Sequence, residues 1–219
     1  MISKLGKGLL FGLIFAALSA CDSEEEGPKE FYGEITYKVT VGGAVGTEMI
    51  EELQALFGDS IKVAFTDKGY RLQVFKEVPV TEWYENDKGT IYYRYADQDT
   101  LYFEPASESN MLLSSEKRSE MHTYMGRSCK TYFLQDQQFH IEMWYDSTLY
   151  VSPKRFSRLY QGHYNRYYMD CKAPYLVRSL VMPPVNIRIE AQSIHQQEQP
   201  DPAWSERPEL TLVEASKDQ

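Results

Sequence analysis

The sequence predicts a mainly β domain, α+β in class, built on an antiparallel sheet. Three observations carry this. Residues 31–41 and 139–145 alternate apolar and polar side chains with period two, the pattern of strands with one packed and one wet face. Polar or glycine-containing breaks recur at short intervals, at 42–46, 67–69, 85–89, 97–99 and 135–137. One stretch, residues 47–57, carries a clear helical stripe.

The chain opens with a targeting segment, residues 1–20. Lys4 and Lys7 precede an uncharged run over residues 8–20. That run is shorter than the roughly 20 apolar residues of a spanning helix and fits the apolar region of a secretory signal. It ends in Leu18-Ser19-Ala20-Cys21, which resembles a bacterial lipobox. In proteins with that motif a peptidase cuts before the cysteine, whose thiol takes a diacylglycerol and whose amine is acylated. Cys21 is then the lipidation site, and three acyl chains exceed the two signals that stable anchoring needs. The alternatives are an ordinary secretory signal with a chance cysteine, or an uncleaved anchor. Residues 21–30 form an acidic tether without apolar periodicity. The run Glu24-Glu25-Glu26 resembles the surface-export signal of Bacteroidota lipoproteins, and is otherwise a solvated spacer. Asp22 bears on the destination too, because in enterobacterial lipoproteins that position can signal inner-membrane retention. The expected address is the cell envelope, as an outer-membrane lipoprotein on the periplasmic face or the cell surface.

The formal charge is −9 over 219 residues. Without Lys4 and Lys7 it becomes 21 basic against 32 acidic side chains, or −11. This balance argues against nucleic acid, whose binding rests on phosphate neutralisation, and against an electrostatic grip on anionic lipid. The remaining length suits one domain, at 31–195, with chain enough for a real core.

Within that domain, Phe31, Ile35, Tyr37, Val39 and Val41 share one strand face, opposite Tyr32, Glu34, Thr36, Lys38 and Thr40. In the helix, Thr47 suits the cap and Glu48 and Glu51 its positive end. Met49, Ile50, Leu53, Leu56 and Phe57 form one stripe, and Gly58 the stop. Such a stripe serves as core or as the lid of a pocket. Residues 61–75 read as a hairpin turning at 67–69. A shorter piece surrounds Trp83, and residues 90–95 and 101–103 form another pair. Residues 106–120 read as a loop or a loose edge.

Residues 121–153 read as the central hairpin. Cys129, Thr131 and Phe133 oppose Ser128, Lys130 and Tyr132. Phe139, Ile141, Met143 and Tyr145 oppose Gln138, His140, Glu142 and Trp144. Residues 154–170 hold Phe156, Leu159, Tyr160, Tyr164, Tyr167 and Tyr168 among Lys154, Arg155, Arg158 and Arg166. They form either a basic-aromatic contact for an anionic headgroup or a glycan, or a loop whose arginines pair with nearby acids. Two last strands cover 175–182 and 185–194. From 196 to 219, with Pro200, Pro202 and Pro208, a disordered tail is expected. Cys129 and Cys171 are either bridged, closing about 43 residues for roughly 4 kcal/mol, or two buried free thiols.

The sequence has no phosphate-cradling glycine loop and no nucleophile elbow. His122, His140, His163 and His195 form no pair at zinc spacing. His140 and Glu142 share a strand face, as an acid-base or metal pair or as solvent-facing partners. No catalytic residue, metal ligand or cofactor is therefore expected. The 17 tyrosines and 10 phenylalanines suit a concave aromatic site for an apolar ligand, or plain core packing.

Three stretches carry a family resemblance: Phe31-Tyr32-Gly33-Glu34-Ile35-Thr36-Tyr37, the pair Gly126-Arg127-Ser128-Cys129-Lys130-Thr131-Tyr132 and Trp144-Tyr145-Asp146-Ser147-Thr148-Leu149, and the terminal strand pair around Pro183. They resemble Bacteroidota lipoproteins with a domain of unknown function, distantly similar to the LolA/LolB lipoprotein-carrier fold. The resemblance implies a strongly curved antiparallel sheet, an incomplete β-barrel with one or two helices across its concave face, the 47–57 helix over its mouth. It implies no catalytic residues. The expected function is non-enzymatic: a membrane-anchored lipoprotein holding a lipid or other hydrophobic ligand, lined by Ile35, Tyr37, Met49, Leu53, Phe57, Tyr93, Phe139, Ile141 and Met143. The alternative is a structural or interaction subunit of an envelope complex, with its core filled by its own side chains. An enzyme acting on envelope material is the weakest reading.

Overall fold

Period-two alternation becomes strand at each place where it was read. The computed structural model describes residues 27–215, so the signal segment, Cys21 and most of the acidic tether lie outside the described residues. The strands are β1 (Tyr32–Gly43), β2 (Ser60–Phe65), β3 (Gly69–Phe75), β4 (Val80–Glu85), β5 (Thr90–Tyr95) and β6 (Thr100–Pro105). They continue with β7 (Leu112–Tyr124), β8 (Arg127–Asp136), β9 (His140–Tyr145), β10 (Tyr175–Met182), β11 (Val185–Gln197) and β12 (Thr211–Glu214). The helices are α1 (Thr47–Phe57), α2 (Tyr164–Cys171) and the short α3 (Pro202–Ser205). All the strands join one curved sheet, not closed into a barrel, in the order β12-β6-β5-β4-β3-β2-β1-β11-β10-β9-β8-β7. Every pairing is antiparallel except β12 with β6.

Residues directly opposite in an antiparallel pair share a face. One such row runs Ile35, Val63, Leu72, Glu82, Tyr93, Tyr102 across β1 to β6. A second runs Val39, Ile189, Arg178, Met143, Tyr132. Both belong to the inner face, which packs against residues 153–171: a 3-10 turn at Pro153–Phe156, another at Gln161–His163, and α2. Phe156, Leu159, Tyr167 and Tyr168 from this cover are buried in the main core with Phe31, Ile35, Tyr37, Phe65 and Tyr84. Four register shifts interrupt the ladders of β1, β7 and β10, and such bulges add local twist and bend.

Helix α1 ends at Gly58, whose φ is +79°. It contributes Ile50 and Leu53 to the core, but Met49 and Phe57 are 50 % and 37 % exposed. Its main tie to the sheet is Gln54. Strand β2 accompanies β1 only as far as Ser60 opposite Lys38, apart from one bond from Val39 N–H to the Asp59 carbonyl. Beyond that point the Gln54 amide replaces a strand, accepting from Val41 N–H at 2.9 Å and donating to the Val39 carbonyl at 3.2 Å. Gln54→Ala should therefore leave strand groups unpaired and cost about 1–3 kcal/mol. A drop in the urea midpoint without a change in slope would report this.

Three expectations need correction. The β8–β9 hairpin forms, but it lies near the β7 edge, and β1 with β2 occupies the middle of the sheet. Inside β8 the buried set changes phase: Cys129 and Thr131, then Tyr132, Leu134 and Asp136. The bulge in β7 between Arg118 and Met121 falls opposite Lys130 and Thr131; period-two reading of β8 alone has no access to it. Of the stretch 106–120, read as a loop or a loose edge, the part from 112 on is an edge, strand β7. Finally, the chain after 195 is not a free tail as far as 215. Strand β11 runs to Gln197, β12 pairs with β6, and Arg207 bonds Glu85 at 2.5 Å while its guanidinium lies 3.7 Å from the Tyr92 ring centre. This segment brings Leu210 against a second cluster, Trp83, Tyr92 and Leu101, which alternates with the inward Tyr84 and Ile91. The sheet end at β4–β6 is thus covered on the face opposite the main core, which three prolines in sequence do not suggest.

Candidate functional site

A pocket of about 280 Å³ remains between the sheet and its helical cover. Strands β1 to β4 supply Tyr37, Val63, Phe65, Tyr70, Leu72 and Glu82. The cover supplies Leu159, Gln161, Gly162, Tyr164 and Tyr168, and β10 adds Tyr175 and Arg178. The cover reaches over Arg178 because Gly162 and His163 both take left-handed backbone, φ +58° and +59°. A Cβ at Gly162 would stand 3.6 Å from Arg178 Nη2, so the backbone itself forms that wall.

The walls are aromatic and two inward charges break them. Glu82 interrupts the first cross-strand row and accepts a hydrogen bond from the Tyr70 hydroxyl. Burial, assisted by Glu104 and only partly offset by the Tyr70 bond, pushes its carboxyl up to about 7. Arg178 interrupts the second row. Its Nη1 donates to the Tyr164 hydroxyl, and its guanidinium lies 4.9 Å from the Tyr164 ring centre and 5.9 Å from that of Tyr175. Its Nε is buried without a hydrogen-bond partner, and no carboxylate among the described residues pairs with it. Burial raises the hydroxyls of Tyr37, Tyr70, Tyr168 and Tyr175 well above the ordinary tyrosine range, which keeps them neutral. Past the cover, the inner face continues as a tyrosine platform. Tyr93 stacks on Tyr102 at 5.4 Å, with Tyr95 edge-on to both.

A larger groove of about 960 Å³ lies under the C-terminal segment. Its lysine and arginine side chains nearest Glu85 are paired with it, Lys88 at 2.6 Å and Arg207 at 2.5 Å. The smaller pocket is the better ligand site because its arginine has no such partner.

Of the residues expected to line a site, Tyr37 alone lines this pocket. Ile35, Ile141 and Met143 are filled core, Leu53 and Phe139 pack at its margin, and Tyr93 belongs to the platform. Met49 and Phe57 face away on α1, which covers an end of β1 and contributes nothing to the pocket wall. Sequence reading missed Glu82, Arg178, Tyr70 and Tyr175, and named Tyr164 and Tyr168 only within the basic-aromatic stretch 154–170. Its usable signal was an ionisable residue at an inward position of an apolar alternation, as in Val80, Glu82, Tyr84.

Cys129 and Cys171 stand as separate buried thiols. Burial raises both, Cys171 to about 12, so neither is a ready thiolate. His140 is exposed, and Glu142 accepts from Trp144 Nε1 at 2.8 Å. Of the basic cover residues, Arg155 pairs with Glu30 at 3.1 Å and Arg166 with Asp170 at 2.9 Å, while Arg158 donates to the Asp87 carbonyl. No group of three or more His, Cys, Asp and Glu that could hold a metal occurs among the described residues.

Ser109, His163 and Asp136 come together without any signal in sequence. His163 Nε2 meets Asp136 Oδ2 at 3.2 Å, while Ser109 Oγ lies 3.3 and 3.4 Å from the two ring nitrogens. Near-equal distances place the hydroxyl over the ring face, not along a nitrogen lone pair. A nucleophile–base pair needs the lone-pair line. Asp136 also caps the β8–β9 turn through the amides of Gln138 and Phe139, so the trio is best accounted for as a turn anchor.

No protein-family model matches the chain, and no curated protein matches it in sequence. Among solved structures it is similar to PNGF-II, with TM-score 0.47 and 12 % identity over 85 % of this chain and 32 % of that one. The chain thus spans about a third of the length of PNGF-II. It is also similar to lipoprotein LppX of Mycobacterium tuberculosis, TM-score 0.36 and 10 % identity over 74 % of this chain and 86 % of that one. LprF of Mycobacterium bovis gives TM-score 0.34 and 10 % identity over 74 % and 85 %.

Proposed function

We propose that the protein is a cell-envelope lipoprotein that holds a hydrophobic ligand without transforming it. One observation carries this reading: an aromatic pocket stays open where the sheet meets its helical cover, although the surrounding core is close-packed. Ligand sites are concave, mostly apolar and carry a few placed polar groups. This one has Glu82, Arg178 and the tyrosine hydroxyls. Its volume, about 280 Å³, lies just under the ~300–1,000 Å³ usual for ligand pockets, so it suits one acyl chain or one compact hydrophobic molecule, with the tyrosine platform available to any part that protrudes. The lipobox at Cys21 supplies the anchor, and the outer membrane is the proposed site of attachment.

The test is native mass spectrometry of the full chain carrying Cys21→Ser, followed by organic extraction. A co-purified hydrophobic molecule at one per protein is expected, and Leu72→Trp, which fills the pocket, should lose it. A clean unliganded mass, with no uptake of added fatty acid, would sink the proposal and favour a structural subunit.

A further inference from the structure

The two charged side chains of the pocket are not equivalent. Glu82 already has a donor in Tyr70. Arg178 has aromatic faces and the hydroxyls of Tyr164 and Tyr175, but no counter-charge among the described residues. A guanidinium offers five N–H donors in a planar fork and does not lose its proton. Leaving that charge in an aromatic cavity is costly unless something opposite arrives to pair with it. Sequence economy does not explain it, because β10 places Arg178 in a row whose other members are Val39, Ile189, Met143 and Tyr132. An apolar side chain there would simply extend the core.

We infer that the ligand is a single-chain amphiphile with an acidic head, a carboxylate or phosphate, seated on Arg178 beside Tyr164, with its apolar body against Phe65, Leu72, Tyr70 and Tyr168. This rests on the reading of the pocket as a ligand site. The guanidinium fork matches a planar or tetrahedral oxyanion in two-point contact. The positions of the two charges set the orientation: four strands lie between β4 and β10 in the sheet order, so the acidic head is drawn to the β10 side and away from Glu82. The backbone of Gly162 closes over the head, and the tyrosine platform beyond the cover is where a longer chain emerges.

Titration calorimetry with decanoate, decyl phosphate and decanol tests this on the full chain carrying Cys21→Ser. At least one acid should bind tenfold or more tighter than the alcohol, the factor that about 1.4 kcal/mol supplies. Which acid wins identifies carboxylate or phosphate. Arg178→Gln should erase the preference, so that acids and alcohol bind it alike, and Arg178→Lys should keep part of it. Equal binding of all three by the unsubstituted pocket overturns the acidic head and leaves the hydrophobic pocket standing. Binding of none overturns both. The comparison within the unsubstituted pocket decides the matter even if Arg178→Gln does not fold.

Discussion

Phe156→Ala is expected to cost about 3–5 kcal/mol, the range for deleting a buried aromatic side chain. Phe156 is fully buried and is the hub between cover and sheet. Its ring stacks on Tyr168 at 3.9 Å and lies 6.1 to 6.4 Å from Tyr84, Phe65 and Tyr70, which come from three successive strands. The cavity left by alanine would open at the floor of the ligand pocket, where the rigid rings around it cannot collapse inward. Both the urea midpoint and ligand retention should therefore fall. Phe156→Leu should be much milder, because it keeps most of the volume. Phe57→Ala makes the contrast: sequence periodicity put that phenylalanine on the helical stripe and among the expected ligand-lining residues, but on the exposed side of α1 its loss should stay within about 0.5 kcal/mol. Equal costs at 156 and 57 would mean that the helical cover does not depend on this aromatic hub.

The contrast between these phenylalanines shows where sequence reading stopped. Strands were legible because their alternation is local: Phe31 to Val41 and Phe139 to Tyr145 carry their own period. Helix α1 was legible for the same reason, including its stop at Gly58. The site was not, because its walls come from residues whose partners are distant. Residues 154–170 have no single period; they are two 3-10 turns and a short helix joined by left-handed residues, and only the sheet beneath makes them a cover. Glu82 and Arg178 carried a faint signal as charges at inward positions, yet it can be weighed only once the rows across β1–β6 and β9–β11 are known. The segment after 195 was lost for another reason. Strand β12 has four residues, too few for periodicity, and Arg207 finds Glu85 across a long sequence gap.

The second large effect concerns pH. Glu82→Gln should stabilise the protein by roughly 3 kcal/mol at pH 8 and hardly at all at pH 4.5. The sign follows from the proton count. In the unfolded chain Glu82 ionises near its ordinary 4.5, whereas in the fold it holds its proton up to about 7. Between those values the native state binds more protons, so its stability falls as pH rises. The contribution of the neutral form is complete below 4.5 and gone above about 7. A shift of about 2.5 units at 1.36 kcal/mol each sets the size. The groups facing Glu82 are Tyr70 and Tyr93 on neighbouring strands and Glu104 on β6, with Tyr164 and Tyr168 reaching Tyr70 from α2. Tyr70, Tyr93 and Tyr168, all raised by burial, stay neutral throughout, and Glu104 sharpens the effect by repelling the ionised form. Asp136 and Asp146 behave oppositely: burial pushes them up, but backbone amides with His163 or Arg127 prevail and hold both below the usual range. Their stabilisation is lost as pH falls, at the acid end and equally in both proteins. The difference between the two urea curves, measured from pH 4.5 to 8.5, therefore isolates Glu82. Parallel curves would mean that the carboxylate stays ionised in the pocket, and the pocket would then repel the acidic head that Arg178 is inferred to hold.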